Sequence, residues 1–188
     1  MALIRFLDNT DPWGQLMLAW VAGDEQAFAQ LYAHYRGELY RFFLRQCGHA
    51  ALAEELYQEL WMRVIQSRQR YEHTARFSTW LYRIAHNLLM DHFRRHQPEV
   101  AEDDPDSLPG EDDNSPLQAA SREELQARFA TVLARLPFEQ RQAFLLKEEA
   151  GLSLQDIADV CGTTTETVKS RLRYAVARLR KALKEAAA

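Results

Sequence analysis

The sequence predicts an all-α protein of two small helical domains joined by a flexible acidic linker, the C-terminal one a helix-turn-helix. Three observations predict it. Only 7 glycines and 6 prolines punctuate 188 residues, too few for a strand-and-turn protein, while runs rich in Ala, Leu, Glu, Gln and Arg favour helices. Apolar residues recur at spacings of three and four on both sides of the chain's middle. Charge is segregated: the net charge is −4, yet His96 to Pro116 hold eight acids and no Lys or Arg, so the remainder stands at +4. The boundaries are therefore placed at 1–95, 96–120 and 121–188.

In the first piece, Trp13, Leu16, Met17 and Trp20 share a helical face. Gly23 stops that helix and Asp24 caps the next, which buries Phe28, Leu31, Tyr32, Tyr35 and Leu39. A third helix is predicted over about 50–71 with the stripe Leu52, Leu56, Leu60 and Val64. A fourth runs over about 78–95, with Phe77, Leu81, Ile84 and Leu88 inward. "HQPEVAEDDPDSLPGEDDNSP" has four prolines and few large apolar groups, so its burial cannot offset its ordering entropy and it reads as linker. In the second piece Leu125, Phe129, Val132, Leu133 and Leu136 form one face, and Pro137 ends or restarts that helix. "FEQRQAFLLKEEAG" closes at Gly151, "SLQDIADV" is a short third helix, and a long last helix starts near Thr164.

No apolar run approaches the ~18 residues of a membrane span, and acids interrupt the N-terminus where a signal peptide would stay apolar. A cytoplasmic protein without membrane insertion is expected. Cys47 and Cys161 lie far apart and are read as two buried free thiols. No Cys/His spacing suggests a metal, and no cofactor motif is present. With no Gly-rich phosphate loop and no nucleophile motif, an enzyme is not expected.

"LSLQDIADVCGTTTETVKSRLR" has the anatomy of a helix-turn-helix. A short helix buries Leu154, Ile157, Ala158 and Val160, Gly162 permits a sharp turn, and a second helix starts at once. Thr163 and Glu166 have the spacing of a capping box. Opposite the apolar arc stand Thr163, Glu166, Ser170, Arg173, Tyr174 and Lys181, flanked by Lys169 and Arg171. Hydroxyls, a carboxylate and arginines on the first turns suit a recognition helix in a major groove. A plain surface helix would explain the later basic residues, but not the short helix and glycine turn ahead of them.

"FSTWLYRIAHNLLMDHFRR" carries Trp80, Tyr82, Arg83, His86, Asn87, Arg94 and Arg95 beyond its core stripe. Interleaved rings and cations suit single-stranded nucleic acid, since rings stack on bases and arginine neutralises phosphate. The aromatic residues have an alternative place in the core. Upstream, "AEELYQELWMRV" sets Glu54, Glu55, Gln58 and Glu59 around Leu56, Leu60 and Trp61, either a protein-docking face or a solvated acidic face.

Together these stretches resemble the successive signature regions of extracytoplasmic-function (ECF) sigma factors, the two-domain members of the sigma-70 family, over about 24–95 and 124–183. The resemblance implies a transcription initiation factor that binds core RNA polymerase and directs it to promoters, as an alternative sigma factor answering a stress or envelope signal. It implies docking on a coiled coil of the largest polymerase subunit through Glu55, Leu56, Gln58, Glu59 and Trp61. It assigns −10 melting and strand capture to Ser78, Thr79, Trp80, Arg83, Asn87, Arg94 and Arg95. Reading of the −35 duplex falls to Thr165, Glu166, Lys169, Ser170, Arg171 and Arg173, with the preceding helices touching the polymerase flap. An anti-sigma partner is expected, and the acidic linker either threads the polymerase RNA path, as the resemblance implies, or is a soluble tether. Tyr57 and Trp61 are bulkier than the family's docking motif, and Cys161 stands where Leu is usual. The rival reading, a response-regulator-like DNA binder, needs a βα receiver domain, and the first 95 residues show no strand pattern.

Overall fold

The computed structural model describes residues 11–96 and 122–185. Helix α1 (Pro12–Val21) opens with proline at its first position, where a missing N–H costs nothing. Gly23 at φ +112° ends it. Asp24 then caps α2 (Glu25–Cys47), accepting from the N–H groups of Gln26 (2.9 Å) and Ala27 (3.4 Å). Gly48 closes α2 in the left-handed conformation.

Helix α3 (Ala50–Ser67) stops four residues short of the predicted end, passing into a 3₁₀ turn over Arg68–Arg70. Ser67 Oγ donates back to the carbonyls of Arg63 and Val64, while Arg68 is drawn to α1. Its guanidinium bonds the Trp20 carbonyl and lies 4.7 Å from the Trp20 ring centroid. Helix α4 (Phe77–His96) begins one residue earlier than predicted. These helices enclose a core centred on Met17, Leu31, Phe42, Leu60, Phe77 and Leu81. Tyr32, predicted to be buried, is 36% exposed, because its ring lies over the rim of Trp61, at 4.9 Å between centroids.

The second domain comprises α5 (Arg122–Ala134), α6 (Phe138–Glu148), α7 (Leu154–Cys161) and α8 (Thr165–Glu185). Pro137 separates α5 from α6, as its missing N–H dictates. The capping box belongs to α7: Ser153 Oγ accepts from Asp156 N, and the Asp156 carboxylate accepts from Ser153 N. Helix α8 is capped instead by Thr164, whose Oγ1 accepts from Thr167 N at 3.2 Å. The predicted Thr163–Glu166 box is therefore displaced by one residue, and Glu166 pairs with Lys169. Gly162 takes the left-handed turn between α7 and α8 at φ +63°. Among the described residues there is no strand, and no helix is long and apolar enough to cross a membrane. The linker prediction and the side chain of Leu125 lie outside the described residues.

The two domains pack on each other. Helix α7 lies along α4, and α5 and α6 lie against α2. Across this seam Gln46 Nε2 donates to the Phe138 carbonyl (3.4 Å), Arg45 pairs with Glu149, and Phe93 meets Phe138 edge-on at 5.0 Å.

Candidate nucleic-acid interface and docking face

On α4 the predicted strand-contact residues divide into two groups. Arg83, Asn87 and Arg94 are exposed and fall within about 40° of one line along the helix, by 100° per residue. Arg95, also exposed, stands off that line, its Nε donating to the Asp91 carbonyl. The others turn inward. Thr79 is 1% exposed and its Oγ1 donates to Asp156 Oδ1 of α7 at 2.9 Å. Trp80 is half-buried, its ring 5.0 Å from Tyr71 and 5.7 Å from Phe77, so its aromatic surface serves the core as well as any ligand. Ser78 is half-buried beside them. The contrast has a simple cause: α4 is sandwiched, with the first domain's core on one side and α7 on another.

The seam also engages the exposed line itself. Arg83 Nη2 donates to the Asp159 carbonyl at 2.9 Å. One turn further, His86 Nδ1 lies 3.0 Å from Gln142 Oε1, and that amide oxygen accepts a long contact from Cys161 Sγ at 3.6 Å. Burial is the main force holding His86 below the usual imidazole value. Its bond to Gln142 opposes that, Arg171 adds to it and Glu139 works against it. Burial likewise pushes the Cys161 and Cys47 thiols up to about 11, and both cysteines are free as expected, though half-buried rather than fully buried. The α4–α7 seam was not visible in the sequence, because its polar residues read individually as solvent-facing.

On α8, Glu166, Lys169 and Arg173 are exposed and Thr165 and Ser170 half-buried, all within about 140° of arc. Lys169 Nζ donates to Glu166 Oε1 at 2.7 Å, and Arg173 Cζ lies 5.1 Å from the Tyr174 ring centroid. Arg171 does not belong to this face. It sits about 160° around the helix from Arg173, half-buried and ion-paired with Glu139 of α6. Its role in the structure is to tie α8 to α6.

On α3, Glu55, Gln58 and Glu59 are exposed, but Leu56 (5%) and Trp61 (6%) are core. Trp61 packs against Phe28 and Tyr32 of α2, so neither apolar residue offers surface to a partner. The apolar component of this face comes from residues the sequence reading passed over, Met62 and Ile65, 52% and 45% exposed. Large exposed apolar groups that fall out of register with the buried stripe were the signal available.

The chain's relatives match this arrangement. Residues 31–99 match the family model for sigma-70 region 2, and residues 126–179 that for sigma-70 region 4. The chain is 31% identical over 172 residues to the ECF RNA polymerase sigma factor SigW of Bacillus subtilis, covering 87% of this chain and 92% of that one. It is 33% identical over 178 residues to the ECF RNA polymerase sigma factor RpoE of Cereibacter sphaeroides, covering 92% and 95%. Among solved structures it is similar to the sigma factor RpoE of Bartonella quintana, in co-crystals with the anti-sigma factor NepR. That match has a TM-score of 0.66 and 27% identity, over 84% of this chain and 96% of that one. With region 2 and region 4 in order, and relatives matched over nearly their whole length, the chain belongs to the ECF group of sigma-70 family RNA polymerase sigma factors.

Proposed function

We propose that this protein acts in the cytoplasm, without catalytic chemistry of its own, by docking on core RNA polymerase through α3 and directing it to promoters with α4 and α8. The observation that carries this reading is the pairing, on one chain, of a basic line on α4 with a glycine-turned helix-turn-helix whose second helix exposes Glu166, Lys169 and Arg173. Arg83, Asn87, Arg94 and Arg95 contact the melted −10 strand. Ser78, Thr79 and Trp80 border the capturing loop before α4. Thr165, Glu166, Lys169, Ser170 and Arg173 face the −35 duplex, and Arg171 supports them from behind. Glu55, Gln58 and Glu59 supply the polar part of the docking face, with Met62 as its apolar anchor.

Function requires the seam to part. Thr79 and Arg83 cannot engage α7 and a DNA strand at once, so the arrangement of α4 against α7 is a closed form that polymerase and promoter must open. The exposed face of α8 stays accessible in both forms. An anti-sigma partner binds this chain, a reading supported by the complex of the Bartonella relative with the anti-sigma factor NepR, and on this reading it acts by favouring the closed form. Abortive initiation with purified bacterial core polymerase on a promoter library tests the proposal. Specific transcripts that depend on the protein are the expected result. Duplex DNA binding without any conversion of core enzyme to specific initiation would overturn it.

A further inference from the structure

Asp11 occupies the N-cap of α1, yet its side chain makes no bond to that helix. It reaches instead to the start of α4. Asp11 is 7% exposed, and its Oδ2 accepts from Phe77 N at 2.8 Å and lies 3.0 Å from His73 Nε2. A carboxylate on an orphan N–H at a helix start is stabilising both as a hydrogen bond and against the helix dipole. Here that cap comes from 66 residues away. Gly14 makes room for it: a Cβ there would stand 2.4 Å from His73 Nε2 and 2.5 Å from Asp11 Oδ2.

What these groups hold is the loop Glu72–Arg76. Buried Tyr71 and Phe77 root its two ends, and His73, stacked on Tyr71, is its one inward residue. Glu72, Thr74, Ala75 and Arg76 are exposed. His73 Nδ1 is buried and has no partner among the described residues. An unpaired buried polar atom is costly, so this nitrogen contributes nothing to the stability of the core. What the ring supplies is its contact to Asp11 and its stack on Tyr71, and both hold the loop.

We propose that Asp11, with His73 and the glycine at position 14, is a positioning latch that fixes the loop Glu72–Arg76 and the first turn of α4 in the shape that captures the melted −10 strand. Asp11 and His73 touch no DNA. They set the geometry of the exposed loop that does, and α1 thereby serves promoter melting as well as the core. The proposal rests on the reading of α4 as the −10 surface.

The test uses full-length holoenzyme assembled from core polymerase and wild type, Asp11→Ala, His73→Ala, His73→Gln or Gly14→Ala. The probe is a fluorescent single strand carrying the −10 sequence of a promoter the wild type selects. Asp11→Ala, His73→Ala and Gly14→Ala are each expected to weaken single-strand binding about tenfold, the loss typical of one charge-assisted hydrogen bond. Affinities for core and for −35 duplex are expected to stay within about twofold. His73→Gln, which can still donate to Asp11, is expected to recover most of the loss, and across the variants amide exchange in the loop is expected to quicken in proportion to the binding lost. If Asp11→Ala does not fold, His73→Ala, which keeps the helix cap, carries the same comparison. Variants equal to wild type in strand binding would overturn the latch, and so would equal losses in core, duplex and strand binding. A wild-type holoenzyme that does not bind the strand at all would instead overturn the −10 reading itself.

Discussion

Replacing Thr79 by Val should loosen the closed form without damaging either domain. The side chain is 1% exposed and β-branched, and valine preserves its shape while removing the hydroxyl that donates to Asp156 Oδ1. A hydrogen bond to an ionised acceptor is worth about 1.5–3 kcal/mol net. Asp156 keeps its bonds to Ser153 and is half-buried, so water can reach it once the hydroxyl is gone. The lower end, about 1.5 kcal/mol, therefore applies, which shifts the open-to-closed ratio by a little more than tenfold. Cys161 reports that ratio. Its half-buried thiol rests on Gln142, which His86 covers from across the seam, so labelling quickens as the domains part. In a Cys47→Ala background, with opening fast relative to labelling, the rate of reaction with an aromatic disulfide follows the open population. Thr79→Val should raise that rate about tenfold, and should do so far less when Asp156 is already Ala. A rate unchanged by Thr79→Val, or equal effects in both backgrounds, would show that this bond does not hold the seam.

Protonation gives a second handle on the seam. His86 has a lowered value in the closed form, chiefly through burial, so the closed form binds fewer protons than the open one. Its stabilisation is fully present above the ordinary imidazole value of about 6.5 and is lost as pH falls through the lower closed-form value. Labelling of Cys161, corrected for thiolate fraction, should accelerate below about pH 6.5 in wild type and not in His86→Gln. On α8 the two arginines should separate cleanly. Arg173→Ala should weaken promoter binding and reduce the salt slope by about one. Arg171→Ala should leave the salt slope unchanged and lower the melting temperature, since it removes a half-buried side chain that ties α8 to α6. On α3, Trp61→Ala should cost about 3–5 kcal/mol in denaturant unfolding, as a buried aromatic does. Glu59→Ala and Met62→Ala should leave stability within about 0.5 kcal/mol and weaken core-polymerase binding in a competition assay.

The helices were legible because each carries its signal locally. Proline at the start of α1, Asp24 at the cap of α2, and glycines at 48 and 162 in left-handed turns all act within a few residues of chain. The third helix ended early because Arg68 obeys a carbonyl 48 residues away, which no window along the sequence contains. The site was half legible for the same reason. Arg83, Asn87, Arg94, Lys169 and Arg173 were identified by polarity and period, and they are exposed. Thr79, Trp61 and Arg171 share residue type and neighbourhood with true surface groups. What buries them is Asp156, Phe28 and Glu139, each on another element. Asp11 escaped notice for a plainer reason: an acid beside a proline at a helix start already has a sufficient local explanation.

The seam's composition argues that it is built to part. Beside the apolar residues that join both domains in one buried cluster, its described contacts include Thr79 to Asp156, Arg83 to a carbonyl, His86 to Gln142, Gln46 to a carbonyl, Arg45 to Glu149, and Phe93 on Phe138. Hydrogen bonds exchanged with water are worth about 1 kcal/mol each net, and exposed ion pairs less. Between two tethered domains such contacts act at a high effective concentration. A partner that binds the open form a thousandfold more tightly than the closed one brings about 4 kcal/mol to bear. That is comparable with what these contacts can sum to. A wholly apolar seam of the same extent would resist such a partner, and would leave α4 and α7 as sticky surfaces once opened. Polar contacts avoid both difficulties: Arg83, once released from Asp159, is already a solvated cation facing outward on the line that the DNA strand must follow.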